Sequence, residues 1–599
     1  MGARAPAAAR PGPPSVPSPG ARWREPLQAI AGGLVFAVLL TWPTLRAPRT
    51  TIPGDLGDPT LQAWQMAWSG HALLRGPAQL WHSNAYFPER YTYAYTDTLL
   101  GYAATGLFGS GMEAAVLRYN IVYVLVHALA FVGAYALVRQ VGANRVAAVV
   151  AGIAWAYAPW RLAHSGHLNV LSTGGIALCL AMLARGHGWS LRYGRRCGSD
   201  RPGWAFAGWL VAAWQISLGF AIGLPFAYFL LAACAVAAGA YGWSWWRRGE
   251  RPAFGRRLLL ADLAGAAVFG ATTGLIGMVY FRVVALSPQA RRDAGWIETY
   301  SPPLWGFVTA PADSWLWGLQ SAPARDRLSW APEMALLPGV TLTVLAIVGL
   351  FFSVFARRQR ILLGLGVLGS GALGLGANVG AAGHPGYLTL AAVLPGWEAL
   401  RAPGRLMVWT SLLLAILAAG AITMIADRLA GRPPPGGATI DEATPERSRT
   451  SARSGFRAVS AVLLFPLILV VLEGVNRTPH PVVPPAPAAL AQAAEPLLVL
   501  PSDGLLELNI MLWSTDGFPR IANGLTHFEP ASQKRIRTVT AAFPDPASVA
   551  FLRQIGIRSV VVLPDRLAGT PWEGVASRPV AGLGITREDI AGALVYRLG

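Results

Sequence analysis

The chain has 599 residues, of which 53% are hydrophobic and only 13% charged, against about 25% charge in an ordinary soluble domain. That balance excludes a disordered protein, a coiled coil and an ordinary cytosolic enzyme. Basic residues outnumber acidic ones by 49 to 30, a net charge of +19, so the cations either form a nucleic-acid face or mark one side of a membrane.

Residues 1–26 are rich in Ala, Pro and Gly, carry Arg4, Arg10, Arg22 and Arg24, and read as a disordered cytoplasmic tail. Apolar runs follow at 27–45, 121–138, 146–160, 168–184, 204–220, 224–243, 258–284, 336–355, 361–375, 406–426 and 459–472. Runs of about 17–25 apolar residues suit helices that cross a bilayer, which predicts a mainly α, polytopic membrane bundle of about eleven spans over 27–475. The first run is too long for a signal-peptide core and lacks a clear cleavage site, so it reads as a retained span. The stretch 99–112 is apolar but short and broken by Gly101, Gly106, Gly109 and Gly111; a re-entrant segment, an interfacial one and a half-span all remain open.

With the N-terminus inside, 25 of the 49 basic residues fall in the inner segments and 13 in the outer loops, in line with the positive-inside rule. The cations thus mark a membrane side, and no nucleic-acid partner is expected. Localisation in a plasma membrane follows, and arginine in place of lysine suggests a bacterial one. Four pieces lie outside: the loop 46–118, a Trp-rich loop from about 285 to 332, the stretch 377–405, and a tail, 476–599. The tail has 11 basic and 10 acidic residues and reads as a small extracytoplasmic α/β domain, with strands near 496–500 and 559–563 and a helix near 547–555. Cys179, Cys197 and Cys234 offer neither a disulfide framework nor a metal pair.

Acids are scarce, so those in the first outer loop stand out. Asp55 and Asp58 sit on the turn Thr51-Ile-Pro-Gly-Asp-Leu-Gly-Asp-Pro-Thr60. Asp58 precedes Pro59 and reads chiefly as the N-cap of a helix over 59–74, whose Leu61, Trp64 and Trp68 suit a helix lying on the membrane surface. Asp55 has no helix to cap and is placed as a general base. Trp81, Asn84, Phe87-Pro88 and Asp97 follow in the same loop.

This pattern resembles the GT-C superfamily of membrane glycosyltransferases that use polyprenyl-phosphate sugars, including protein O-mannosyltransferase-like and aminoarabinose-transferase-like enzymes. The resemblance rests on a long first outer loop with acids straight after the first span, then W-x(n)-N-x-x-[FY]-P and a further acid. It implies that Asp55 is the base, Asp58 its companion and Asp97 a second acidic site, and that a divalent metal or the lipid phosphate is held by outer-loop acids and histidines. The motif here is Asp-x-x-Asp instead of adjacent acids, which leaves open which aspartate is the base. The implied partners are a polyprenyl-phosphate sugar, an acceptor glycan, lipid or protein, and the surrounding lipids.

Three further constellations complete the reading. His164 and His167 share a helical face and, with Asp97, are candidate metal ligands; ordinary hydrogen bonding of interfacial histidines is the plainer alternative. Arg161, Arg401 and Arg405 are candidate contacts for the donor phosphate, with membrane anchoring the alternative for the last two. Glu298 and Trp305 in the Trp-rich loop are candidate substrate contacts, against a plain aromatic belt. A flippase of lipid-linked saccharide and a non-catalytic scaffold are the competing functions.

Overall fold

The computed structural model describes residues 19–196, 198–249, 255–291, 294–430 and 464–599. The expected N-terminal tail up to residue 18, Cys197 and the start of the last apolar run lie outside the described residues.

Every apolar run carries a helix. In chain order these are α1 (Pro19–Leu40), α2 (Asp58–Arg75), α3 (Gly111–Gln140), α4 (Arg145–Ala156), α5 (Leu168–Leu171), α6 (Gly174–Gly186), α7 (Pro202–Ile216), α8 (Phe220–Arg248) and α9 (Arg256–Leu286). Three short helices follow, α10 (Ala294–Thr299), α11 (Ala322–Arg325) and α12 (Ala331–Met334). Then come α13 (Val340–Phe351), α14 (Arg357–Gly374), α15 (Tyr387–Val393) and α16 (Met407–Leu429). The described part of the last run is α17 (Leu464–Gly474).

Five helical stretches are long and apolar enough to cross a membrane: Gly111–Gln140, Leu168–Gly186, Phe220–Arg247, Arg256–Leu286 and Pro403–Leu429. Helices α4, α13 and α17 are apolar but shorter. At 1.5 Å per residue, the 12 residues of α4 reach about 18 Å, short of a hydrocarbon core of about 30 Å. The expected eleven runs are therefore all helical, while five among the described residues are both long and apolar enough for a full crossing. Helices α3 and α6 cross closely, because a Cβ on Gly133 would lie 2.3 Å from the Gly174 carbonyl oxygen. The stretch 99–112 contains a 3₁₀ segment, Leu100–Leu107, about 16 Å long at 2.0 Å per residue and so too short to span.

Helix α2 departs from expectation. It is not a surface helix: Gln62, Gln65 and Ser69 are buried together with Leu61, Trp64 and Trp68. It is wedged between α3 and the 3₁₀ segment, and a Cβ on Gly106 would lie 2.0 Å from the Met66 carbonyl oxygen. Its polar side chains are satisfied internally, which makes full burial tolerable.

The tail adds α18 (Leu506–Trp513), α19 (Ala531–Thr540) and α20 (Pro546–Gln554). After a hairpin of β1 (Trp189–Ser190) and β2 (Gly194–Arg195), the tail supplies β3 (Leu497–Leu500), β4 (Ser559–Val562), β5 (Thr586–Ile590) and β6 (Ala593–Arg597). These four form one sheet in the order β3-β4-β6-β5, with β3 and β4 parallel and the other pairs antiparallel. Strands β3 and β4 and helix α20 coincide with the segments read from the sequence.

The tail packs against the loop 46–118. Residues 84–87 of the first outer loop run alongside 521–523 of the tail: Ile521 N donates to Asn84 O at 2.8 Å and Phe87 N to Ile521 O at 2.9 Å. One apolar cluster combines Leu61, Trp64, Tyr86 and Tyr93 with Leu497, Val499, Met511, Val561 and Val595. Asn84 pins the junction, accepting from Trp64 Nε1 at 3.1 Å and donating to Ser514 Oγ at 2.9 Å and Pro519 O at 2.8 Å. The Trp-Asn-Phe-Pro motif thus fastens the loop to the tail.

Candidate active site

The acidic turn is anchored on both sides. Ile52 N and Gly54 N donate to Pro481 O and Pro479 O at 3.2 and 2.9 Å, and Asn120 Nδ2 of α3 donates to Pro48 O at 2.9 Å and Thr51 O at 2.7 Å. Gly54 adopts φ +93°, a conformation that favours glycine and turns the chain into Asp55. The exposed Asp55 carboxylate accepts the Gly57 N–H through Oδ1 at 2.7 Å, and Oδ2 has no hydrogen-bond partner among the described residues.

Asp58 is not a cap. Gly57 holds the N-cap position of α2 without a side-chain bond, and Asp58 Oδ2 lies 3.0 Å from His167 Nε2. The carboxylate turns outward because an imidazole is available to it. Partial burial works against its charge, but the hydrogen bond and charge of His167, with His527 and Arg405 beyond, hold its carboxyl below the usual range.

From Asp58 a chain of polar groups leads inward. The Nδ1 atoms of His167 and His164 are 3.3 Å apart, so one of them carries the shared proton. His164 is fully buried, and burial, outweighing the attraction of Glu333, pushes it down to about 3; it is neutral at pH 7. Its Nε2 is 4.0 Å from Glu333 Oε2. Glu333, on α12 and buried, accepts from Arg405 through both oxygens, Arg405 Nε lying 3.1 Å from Oε2 and Nη2 pairing with Oε1. Burial opposes the charge of Glu333, yet the Arg405 guanidinium holds its carboxyl at about 2. Arg405 Nη1 is not used in this pair and remains a donor for an anion.

Other candidates have different places. Asp97 Oδ1 accepts the Phe220 N–H and Oδ2 accepts from Asn169 Nδ2, both at 2.8 Å. It therefore holds the start of α8, and Asn169 links it to Gln62 of α2 at 3.3 Å. Asp97, His164 and His167 are not gathered as metal ligands: among the described residues no three His, Cys, Asp or Glu side chains are grouped to hold one ion. The residues present do not fit the expected metal site.

Arg161 is buried, with Nη1 on Thr173 Oγ1 at 3.0 Å, Nη2 on Leu171 O at 2.8 Å and Trp155 and Trp160 rings nearby. A phosphate would reach it only by displacing those partners. Arg401 does not form a fork with Arg405; it lies over the Tyr300 ring, 4.9 Å from the centroid. Tyr300 stacks with Trp296 at 6.1 Å and meets Trp330 edge-on at 6.0 Å. Glu298 and Trp305 are both exposed in the same loop.

Glu333, and His527 whose charge acts on Asp58, were passed over in the sequence reading. Glu333 follows Pro332, the ordinary first-turn signature of a short helix, and only its burial reveals its role. His527 belongs to a tail segment read as fold alone. That segment is held by buried Glu507, which accepts Gly524 N–H through Oε2 at 2.7 Å and bonds Ser502 and Asn523. Thr526 Oγ1 and Phe528 dock it on Tyr86 and Tyr95 of the first loop, at 2.9 Å and a ring distance of 4.7 Å.

No family model and no curated protein sequence matches the chain. Among solved structures, it is similar to the arabinofuranosyltransferase AftD from Mycobacteria, with 17% identity and a TM-score of 0.45 over 96% of this chain and 40% of that one. It is also similar to the archaeal oligosaccharyltransferase AglB from Archaeoglobus fulgidus, solved with an inhibitory peptide and a dolichol-phosphate. There the identity is 12% and the TM-score 0.41, over 96% of this chain and 74% of that one. The chain spans about two fifths of the length of AftD.

Proposed function

We propose that the chain is an integral membrane glycosyltransferase of the GT-C type that moves a sugar from a polyprenyl-phosphate donor to an acceptor on the non-cytoplasmic side. The observation that carries this reading is the row of polar groups from Asp58 through His167 to His164, with the Glu333–Arg405 pair 4.0 Å beyond His164 Nε2 and Asp55 exposed three residues before Asp58. In this reading the carboxylates face the acceptor and the Arg405 guanidinium faces an anion, at the outer ends of apolar helices. There the head group of a membrane-borne donor meets water.

In this reading Asp55 Oδ2 accepts the proton of the acceptor hydroxyl. The hydroxyl oxygen attacks the anomeric carbon from the side opposite the phosphate, the carbon–oxygen bond to phosphate breaks, and the lipid phosphate leaves with the electron pair. Inversion at the anomeric carbon follows. Arg405 Nη1 stabilises the leaving phosphate while Glu333 fixes the guanidinium plane. Asp58 is the weaker base, because its contact with His167 favours the ionised form; it orients the acceptor. No step is assigned to a metal.

The test is donor cleavage. Purified protein supplied with labelled polyprenyl-phosphate sugars and a candidate acceptor releases free polyprenyl phosphate. If no donor is cleaved while lipid-linked saccharide crosses proteoliposome membranes, the flippase reading takes its place.

A further inference from the structure

The far end of α6 carries a second feature, about 20 Å along the helix from its start near His167, at 1.5 Å per residue. There α6 and α7 touch: a Cβ on Gly186 would lie 2.6 Å from Ala205 N, and Arg201 N donates to Gly186 O at 2.8 Å. The contact seats the Trp204 ring under the Arg185 guanidinium, 4.7 Å from its centroid. Beside it lies a shallow hollow, a cavity of about 440 Å³ open on its outer side and lined by Met182, Arg201, Pro202, Gly203, Trp204 and Ala207.

The charge around this cavity is one-sided. Among the described residues neither Arg185 nor Arg201 has an ion-pair partner, because the acids nearby are taken. Asp200 pairs with Arg195 at 3.1 Å, and Asp262 with His187 at 3.2 Å and Trp209 Nε1 at 3.1 Å. Two uncompensated guanidinium groups at the rim of an apolar cavity match a ligand with an anionic head and an apolar body. A free phosphate would leave the Met182, Pro202 and Ala207 walls exposed to water; a phospholipid covers them.

We propose that this cavity binds one anionic phospholipid of the leaflet opposite the acidic cluster, with its phosphate between Arg185 and Arg201 and an acyl chain along Met182, Trp204 and Ala207. The site is independent of the transferase reading, and its test needs no turnover.

Native mass spectrometry of the full chain, equilibrated with vesicles of equal phosphatidylglycerol and phosphatidylcholine, reads the outcome. The wild type retains one phosphatidylglycerol with a preference of about tenfold. Arg185→Ala/Arg201→Ala loses that preference, as does Ala207→Trp, which fills the cavity and keeps both charges. Arg256→Ala/Arg257→Ala, a pair at the start of α9, keeps it. Unchanged retention in the first two variants, equal loss in the third, or displacement of the lipid by millimolar glycerol phosphate would overturn the proposal.

Discussion

Asp58 and His167 meet at 3.0 Å through Oδ2 and Nε2, although one stands in the first outer loop and the other follows the fourth helix. The contact commits Asp58 to the ionised state and directs the remaining imidazole nitrogen toward His164, away from solvent. His167 is therefore a positioning residue. His167→Gln, which retains a donor for Asp58, is expected to lower kcat/KM for sugar transfer by about tenfold and His167→Ala by about a hundredfold. Equal losses in the two variants would remove the positioning role.

The Glu333–Arg405 pair is buried, so breaking it leaves an uncompensated charge. Glu333→Gln is expected to cost about 3–5 kcal/mol in stability, and Glu333→Gln/Arg405→Gln less than the sum of the single changes. The folded carboxyl sits at about 2, below its ordinary 4.5. Its contribution is thus complete above about 4.5 and lost as the pH falls toward 2. Thermal melts of both variants against pH, in detergent, provide the check.

Asp313, in the Trp-rich outer loop, has the opposite sign. Burial raises its carboxyl to about 6, only partly offset by Arg325. Folding stability from this group is full below about 3.8 and lost as the pH rises through 6. Asp313→Asn is expected to flatten the melting-temperature profile between pH 4 and 7 and to melt higher than the wild type at pH 7.

Asn84 joins the first loop to the tail through two side-chain hydrogen bonds, to Ser514 and Pro519, and accepts a third from Trp64 Nε1. Asn84→Ala leaves buried Trp64 Nε1 without its acceptor, at about 1–3 kcal/mol. The expected result is faster proteolytic release of the tail, with the membrane helices intact on a gel. Because the same junction supports the His527 loop, sugar transfer is expected to fall together with tail docking.

The apolar helices were legible because apolar runs are local properties of the chain. So were β3, β4 and α20, whose patterns are short and clean. Strands β5 and β6 were not: Thr586-Arg-Glu-Asp-Ile590 is polar and mostly exposed, and its register depends on β6. The burial of α2 was hidden because its glutamines pair with groups distant in sequence. The same holds for the site. Asp55 and Asp58 stood out in a chain poor in acids, yet nothing local to Asp97 points to the amide of Phe220, and nothing near Glu333 points to Arg405. Scarcity marked the first pair; only packing revealed the others.

The central claim is that the outer-loop carboxylates activate an acceptor against a polyprenyl-phosphate sugar. The most direct measurement is acceptor-dependent release of polyprenyl phosphate from a labelled donor by wild type, Asp55→Asn and Asp58→Asn, each shown by its melt to be folded. The account predicts release by the wild type, a loss of about 10²–10⁴-fold in Asp55→Asn and a smaller loss in Asp58→Asn. Folded Asp55→Asn protein that cleaves donor at the wild-type rate would contradict it.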